Sequence, residues 1–241
     1  MTQLQPISIT ESQCLTATRA FLLNILPHGV EVVRGLSNRV PEPTSSDFVL
    51  MTPMGRDRLA TNVVTVQDTV FTGSIALTTL NVTDIGYGSI SIGSPVLGTG
   101  VTWGTVVTAL GTGTGGVGTY TVAPSQTVAS GKLAAGIRQD LQKTQLKIQL
   151  DVHGPNSGDN SQIITDIFRS ERGIEMFAYS GFDLTPLFSS DPLQAPYKNG
   201  EQQIEERWVV DLNMQINPIV TTPQQFADQL EATVINAQVN S

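Results

Sequence analysis

Asp151, His153 and Ser157 lie close together in the sequence and are the three residue types of an acyl-transfer relay. The stretch QLKIQLDV around them alternates apolar and polar residues, so Asp151 and His153 share one face of a strand. Their side chains then stand about 7 Å apart, too far for the carboxylate to orient the imidazole. No nucleophile-elbow pattern presents a serine. These residues are expected to be surface polar side chains. Glu205 and Glu206 resemble a carboxylate pair, but neighbours on a strand point to opposite faces. The glycines of GTGTGG at 111–116 suggest a phosphate cradle, yet no Gly-Lys-Ser/Thr follows and no helix opens there. They are expected to make turns. Asn81-Val82-Thr83 is a glycosylation sequon with meaning only in a secretory pathway.

Metal and thiol chemistry are equally thin. His28 and His153 are the only histidines, too few for most zinc sites. Cys14, the single cysteine, excludes an intrachain disulfide and is expected to be a small core residue next to the apolar face of the first helix. No enzyme activity and no cofactor are expected. The net charge of −8 is the wrong sign for free nucleic-acid binding, where phosphate neutralisation supplies most of the affinity. No basic-then-apolar leader is visible, and no apolar run is long enough to span a bilayer. The expectation is a soluble protein made in a reducing cytoplasm, with no membrane partner.

The elements that would position these residues fall into two kinds. Between Thr69 and Gly136 the only charged side chains are Asp84 and Lys132, and the stretch holds 14 of the 22 glycines. Ordinary globular sequence flanks it on both sides. Such a break reads as a small all-β module, residues 69–136, inserted into a host made from residues 1–68 and 137–241. Its strands are expected to be short: SIALTTLNVTD, SISIGSPVLG, WGTVVTALG and GTYTVAP.

In the host, TESQ at Thr10–Gln13 is a capping box opening a helix over 11–26, which Pro27 and Gly29 stop. Strands are expected at EVV and from Asp47 onward. A half-buried strand then carries Leu146, Ile148, Leu150 and Val152 on its inner face. Ile163, Ile164, Ile167 and Phe168 form a helical stripe with Gly173 as its stop. AYSGFDLTPLFSSDPLQAPYKNGE reads as a long proline-rich loop and a contact surface. A long alternating strand includes Trp208, Val210, Leu212, Met214 and Ile216. A last helix, with Thr222 as N-cap and Pro223 in its first turn, turns Phe226, Leu230 and Val234 inward. The expected fold is α+β, a mainly antiparallel sheet with flanking helices. Its core should include Leu15, Phe21, Leu22, Leu146, Ile148, Leu150, Ile164, Phe168, Trp208, Val210 and Leu212.

Two parts of the chain resemble known families. GTGVTWGTVVTALGTGTGGVGTYTVAPSQTVAS resembles a Gly/Thr-rich β-module of tailed-phage structural proteins. VEVVRGLSNRVPEPTSSDFVLMTP with RDRLATN, LDVHGPNSGDNSQIITDIF, and DPLQAPYKNGEQQIEERWVVDL with TTPQQFADQL are together similar to the neck or tail terminator proteins of long-tailed phages. That resemblance implies a virion protein, assembled in the host cytoplasm, that closes the head-proximal end of the tail tube or sheath. It implies a ring, six-membered in that family, joined to neck or head-completion proteins, with the genome passing through unbound. It transfers no catalytic residue. The other reading kept open is an attachment or baseplate protein that uses the β insert for binding.

Within the ring reading, Phe182, Leu184, Leu187, Phe188 and Tyr197 of the proline-rich loop are the candidate subunit interface, because a monomer would expose them or cover them only in part. Lys147, Asp151, Glu205, Arg207 and Asp211 are candidates to line the bore or to pair across subunits.

Overall fold

The structure, a computed structural model, describes residues 7–35, 43–198 and 204–223; of residues 197, 198, 204 and 223 it describes the backbone alone. In chain order the elements are α1 (Glu11–Ile25), β1 (Glu31–Arg34), β2 (Phe48–Arg58), β3 (Val63–Gln67), β4 (Val70–Tyr87), β5 (Leu97–Gly98), β6 (Val106–Leu110), β7 (Gly118–Ala134) and β8 (Ile137–Leu141). Next come β9 (Thr144–His153), α2 (Ser157–Phe168), α3 (Glu171–Ala178), β10 (Leu184–Ser189), β11 (Leu193–Gln194), β12 (Tyr197–Lys198), β13 (Ile204–Glu205), β14 (Arg207–Ile216) and β15 (Ile219–Pro223). The fold is α+β, and the chain divides into two compact units. Residues 64–140 and 221–223 build one; residues 7–63 and 141–220 build the other.

The second unit is organised by one sheet in the order β1-β2-β9-β14-β10, with β11 also on β14. β1 and β2 are parallel and the other pairs antiparallel. β9 is central, paired from Arg207↔His153 to Ile216↔Thr144 with β14, and with β2 on its other side. Its even-numbered residues Leu146, Ile148, Leu150 and Val152 align with Met214, Leu212, Val210 and Trp208. Alternation on both strands therefore makes one continuous apolar face. Phe21 and Leu22 of α1, Ile164 and Phe168 of α2, and Phe177 of α3 join these residues in a single core. Phe21 stacks on Phe177 at 5.0 Å and meets Phe168 edge-on at 5.9 Å. Every expected core residue is buried except Trp208, which is partly buried against the core.

Local sequence explains the helix ends. In α1, the Gln13 amide donates to Thr10 Oγ1 at 3.3 Å and the Thr10 amide to Gln13 Oε1 at 2.7 Å, closing the capping box. α2 is tied down from far away. The Asn156 amide and its side-chain Nδ2 each donate to the Asp47 carboxylate at 2.9 Å, so a residue before β2 fixes the start of α2. A negative charge there also suits the helix dipole.

Gly173 does not stop α2. α2 ends at Phe168 and Gly173 lies inside a third helix, α3, capped by Ser170 Oγ. A Cβ at Gly173 would sit 2.4 Å from the Ile167 carbonyl, so glycine is what lets α3 fold back against the end of α2. The long loop is also largely structured. Leu184–Ser189 pairs with β14 as an edge strand, with an irregularity at Pro186/Phe188 that accommodates the proline. Arg169 clamps the end of this strand: its Nε donates to Ser189 Oγ at 2.9 Å and its guanidinium also reaches the Ser189 carbonyl and Asp191. Thr222 and Pro223 belong to β15 rather than to a helix start. The helix expected after them, with Phe226, Leu230 and Val234, lies outside the described residues, as does Asn199-Gly200, a dipeptide whose sequence favours a turn.

The first unit has its own core of Phe71, Ile75, Leu80, Val82, Tyr120, Val122 and Leu133. Its strands are not all short: β4 and β7 run 18 and 17 residues and pair along most of their length, broken by bulges. SISIGSPVLG is mostly irregular, with a turn at Ile92–Gly93, a bridge from Pro95 to Val106 and strand only at Leu97–Gly98. The GTGTGG glycines wrap one side chain. The Gly115 amide donates to Tyr120 Oη at 3.0 Å, Tyr120 Oη donates to the Gly116 carbonyl at 2.6 Å, and a Cβ at Gly113 would strike the Tyr120 ring. A further sheet, β15-β8-β3, places β3 and β8 side by side.

Phe168→Ala is expected to cost about 3–5 kcal/mol of unfolding free energy. Gly173→Ala should cost about 1–3 kcal/mol through overpacking, while Leu187→Ala stays within about 0.5 kcal/mol. Urea titrations of the three variants check this ordering.

Candidate functional site

The face of the sheet opposite the core carries the polar residues of β9 and β14. Four side chains on β9 reach across to the adjoining chain segment at 205–213, and the contacts repeat one geometry. Gln145 Nε2 donates to Asn213 Oδ1 at 2.9 Å, and Lys147 meets Asp211 at 2.7 Å. Asp151 accepts from the Arg207 guanidinium, with Nε at 2.8 Å, and His153 Nδ1 lies 3.2 Å from Glu205 Oε1. The register pairs Gln145 with Gln215, Lys147 with Asn213, Asp151 with Val209 and His153 with Arg207. Each contact is therefore a diagonal, reaching two residues past the register partner. Long side chains span that diagonal in a twisted antiparallel pair.

The candidate bore residues thus find partners inside their own chain. Lys147 pairs with Asp211 and Asp151 with Arg207, while Glu205 faces His153. Asp151 and His153 are not surface side chains. Both are buried, because the end of β9 is covered on both faces. Phe48 stacks on the His153 ring at 4.5 Å with the planes 8° apart. Burial holds the His153 pKa below the ordinary histidine value, against the opposing pull of Glu205. Asp151 turns to Arg207 and His153 to Glu205, and fully buried Ser157 Oγ makes no hydrogen bond among the described residues. The geometry assembles no relay. Glu206 is exposed, and its carbonyl accepts from the Gly154 amide at 3.1 Å.

The interface candidates separate. Leu184 is buried in the core at the start of β10, because its alternation places it beside Ile216. Phe182 is partly buried against that core. Leu187 and Phe188 are exposed, at 43% and 51%. Tyr197 begins β12 and pairs with Glu205 through the backbone. Cys14 is buried, as expected, and burial raises its thiol pKa.

In the first unit a groove of about 800 Å³ is lined by Leu97, Gly98, Val128, Lys132 and neighbouring small residues. Lys132 is its one ionisable side chain, so it offers no acid–base pair. Among the described residues no three of His, Cys, Asp and Glu are grouped to hold a metal ion. Among them, too, no helix is long and apolar enough to cross a membrane.

The His153 site gives a pH dependence with a defined sign. A depressed folded pKa means the unfolded state binds the proton first, so stability is full above about pH 6.5 and falls as pH drops through and below that value. Thermal midpoints at successive pH values should show this loss in the native chain and a shallower one in His153→Gln. Identical slopes would remove His153 from the account.

The comparison with known families adds an identity to this geometry. A sequence model described as phage neck terminator protein matches residues 104–238. The matched segment takes in the whole of β9, α2, α3, β10 and β14, and so the polar ladder described above. A search of curated proteins finds no match to the chain. With more than half of its length matched, the chain belongs to the phage neck terminator protein family and is a structural protein of the virion neck.

Proposed function

We propose that the protein closes the head-proximal end of the phage tail, on the tube, the sheath or both, and joins it to the neck as a ring of six copies. The observation that carries this reading is the family match over residues 104–238, which runs through the central strands of the second unit. The site chemistry agrees with it. The ionisable groups of β9 and β14 on the polar sheet face are consumed in pairs, an arrangement that suits a rigid building block better than a reacting centre.

The pairing also bears on passage of the genome. Among the named candidates two cations, Lys147 and Arg207, balance three anions, Asp151, Glu205 and Asp211, leaving a difference of one negative charge. A passage lined by such a face would hold DNA through few phosphate contacts and leave it free to slide. The expected partners are further copies of the chain, tail tube or sheath protein, and a neck or head-completion protein.

Residues 69–136 are proposed to be an insertion that points away from the ring. In support, β3 and β8, which lead into and out of it, are neighbours in one sheet, so a short connection could replace it. Its separate core supports independent packing.

Two measurements test the proposal. Light scattering and negative-stain images of the purified protein, alone and with tail-tube protein, should give rings; a stable monomer under both conditions would overturn it. Replacing residues 70–135 with a Gly-Ser linker should leave a folded, ring-forming protein. An insoluble or monomeric product would refute the insertion reading.

A further inference from the structure

Most cations of the second unit have partners. Arg34 pairs with Glu11, Lys147 with Asp211, Arg169 with Asp191 and Arg207 with Asp151, while Arg19 donates to the Val32 carbonyl. Arg56, Arg58 and Lys143 make no ion pair among the described residues, and all three are exposed. They gather at one end of the β2–β9 pair. Arg56 lies opposite Leu146 and Arg58 opposite Thr144, and the Leu59 amide donates to the Lys143 carbonyl at 2.9 Å. Asp57 lies opposite Gln145 and so belongs to the other face, where Leu59 and Lys143, the next rungs of the same ladder, follow it; Arg56 and Arg58 share their face with neither. Met54, Leu59 and Val63 of the same segment are exposed at 54%, 45% and 54%. Basic and apolar exposure coincide there.

The same unit carries the complement. α3 buries Gly173 and Phe177 and turns Glu171, Ile174, Glu175 and Ala178 outward, at the spacing of one helical face. Ile174 is 49% exposed and Tyr179, just past the helix, 88%. Asp166 of α2 is exposed nearby in sequence, and Arg172 is the one cation of α3. This face is acidic around exposed apolar side chains. It shares no strand with the basic end: α3 packs on β10, α2 and α1, whereas the basic end belongs to β2 and β9.

We propose that the basic end of one copy, Arg56 and Arg58 beside Met54, docks on the acidic α3 face of a second copy, Glu171 and Glu175 around Ile174 and Tyr179. Charge complementarity selects the partner and the apolar residues supply contact area. Two different surfaces of one chain meet, so the contact is head-to-tail and repeats from copy to copy, closing where the rotation allows. Its closure into a ring rests on the function proposed above.

Paired charge reversals test the contact. Arg56→Glu with Arg58→Glu, and separately Glu171→Arg with Glu175→Arg, should each weaken self-association about a hundredfold. Circular dichroism should stay unchanged, since all four positions are exposed. An equimolar mixture of the two variants should assemble again, because every contact in an alternating array is then acidic against basic. As a second readout, raising salt from about 0.05 to 0.5 M should loosen the native assembly. Reversal variants that assemble like the native protein, or a mixture that stays apart, overturn this contact and leave the ring reading standing. A native protein that is monomeric throughout overturns both.

Discussion

The register of β9 between β2 and β14 is the constraint on which the rest depends. With Ile148 opposite Leu212 and Leu150 opposite Val210, the apolar residues of the strands fall on one face and can be sealed by the three helices. A slip of one residue would turn Leu146, Ile148, Leu150 and Val152 to the other side and bury Lys147 and Asp151 against Phe21 and Phe168. Burying an aliphatic or aromatic side chain is worth about 1.5–3 kcal/mol, whereas a partly exposed ion pair contributes about 0–1 kcal/mol. The apolar face therefore sets the register, and the diagonal pairs on the opposite face are its consequence.

That ordering also explains why Asp151, His153 and Ser157 come close in the sequence without forming a relay. Asp151 and His153 are two of the residue types of a relay, yet each is directed by the strand geometry to a partner that consumes it, Arg207 and Glu205. Such pairs add little net stability, but they penalise alternative pairings, since a slipped strand would leave charges unmatched. For a neck protein the useful product is a stiff element with defined edges and helical surfaces. Proteins that assemble on one another need that more than they need a pocket.

Much of this was legible in the sequence because period and capping are local. The clean alternation from Leu146 to Val152, the Thr10–Gln13 box and the stripe of Ile164 and Phe168 each translated directly into an element. What escaped depended on distant residues. α3 was hidden because Gly173 reads as a terminator unless the close approach to the Ile167 carbonyl is known. β10 was hidden by Pro186, which an edge strand tolerates and a central one does not. Leu184 looked like surface because its burial requires β14 beside it. The diagonal ladder could have been drawn by setting the two alternating strands antiparallel. The length of β4 and β7 could not, since Gly73 in β4 and Pro124 and Gly131 in β7 punctuate them as turns would.

The measurement that bears most directly on the account is the position of the protein in the virion. An antibody or a fused label on this chain, viewed by electron microscopy, should decorate a single level at the head-proximal end of the tail. Label at the tail tip or along its periphery would contradict the account and favour an attachment role for the Gly/Thr-rich unit.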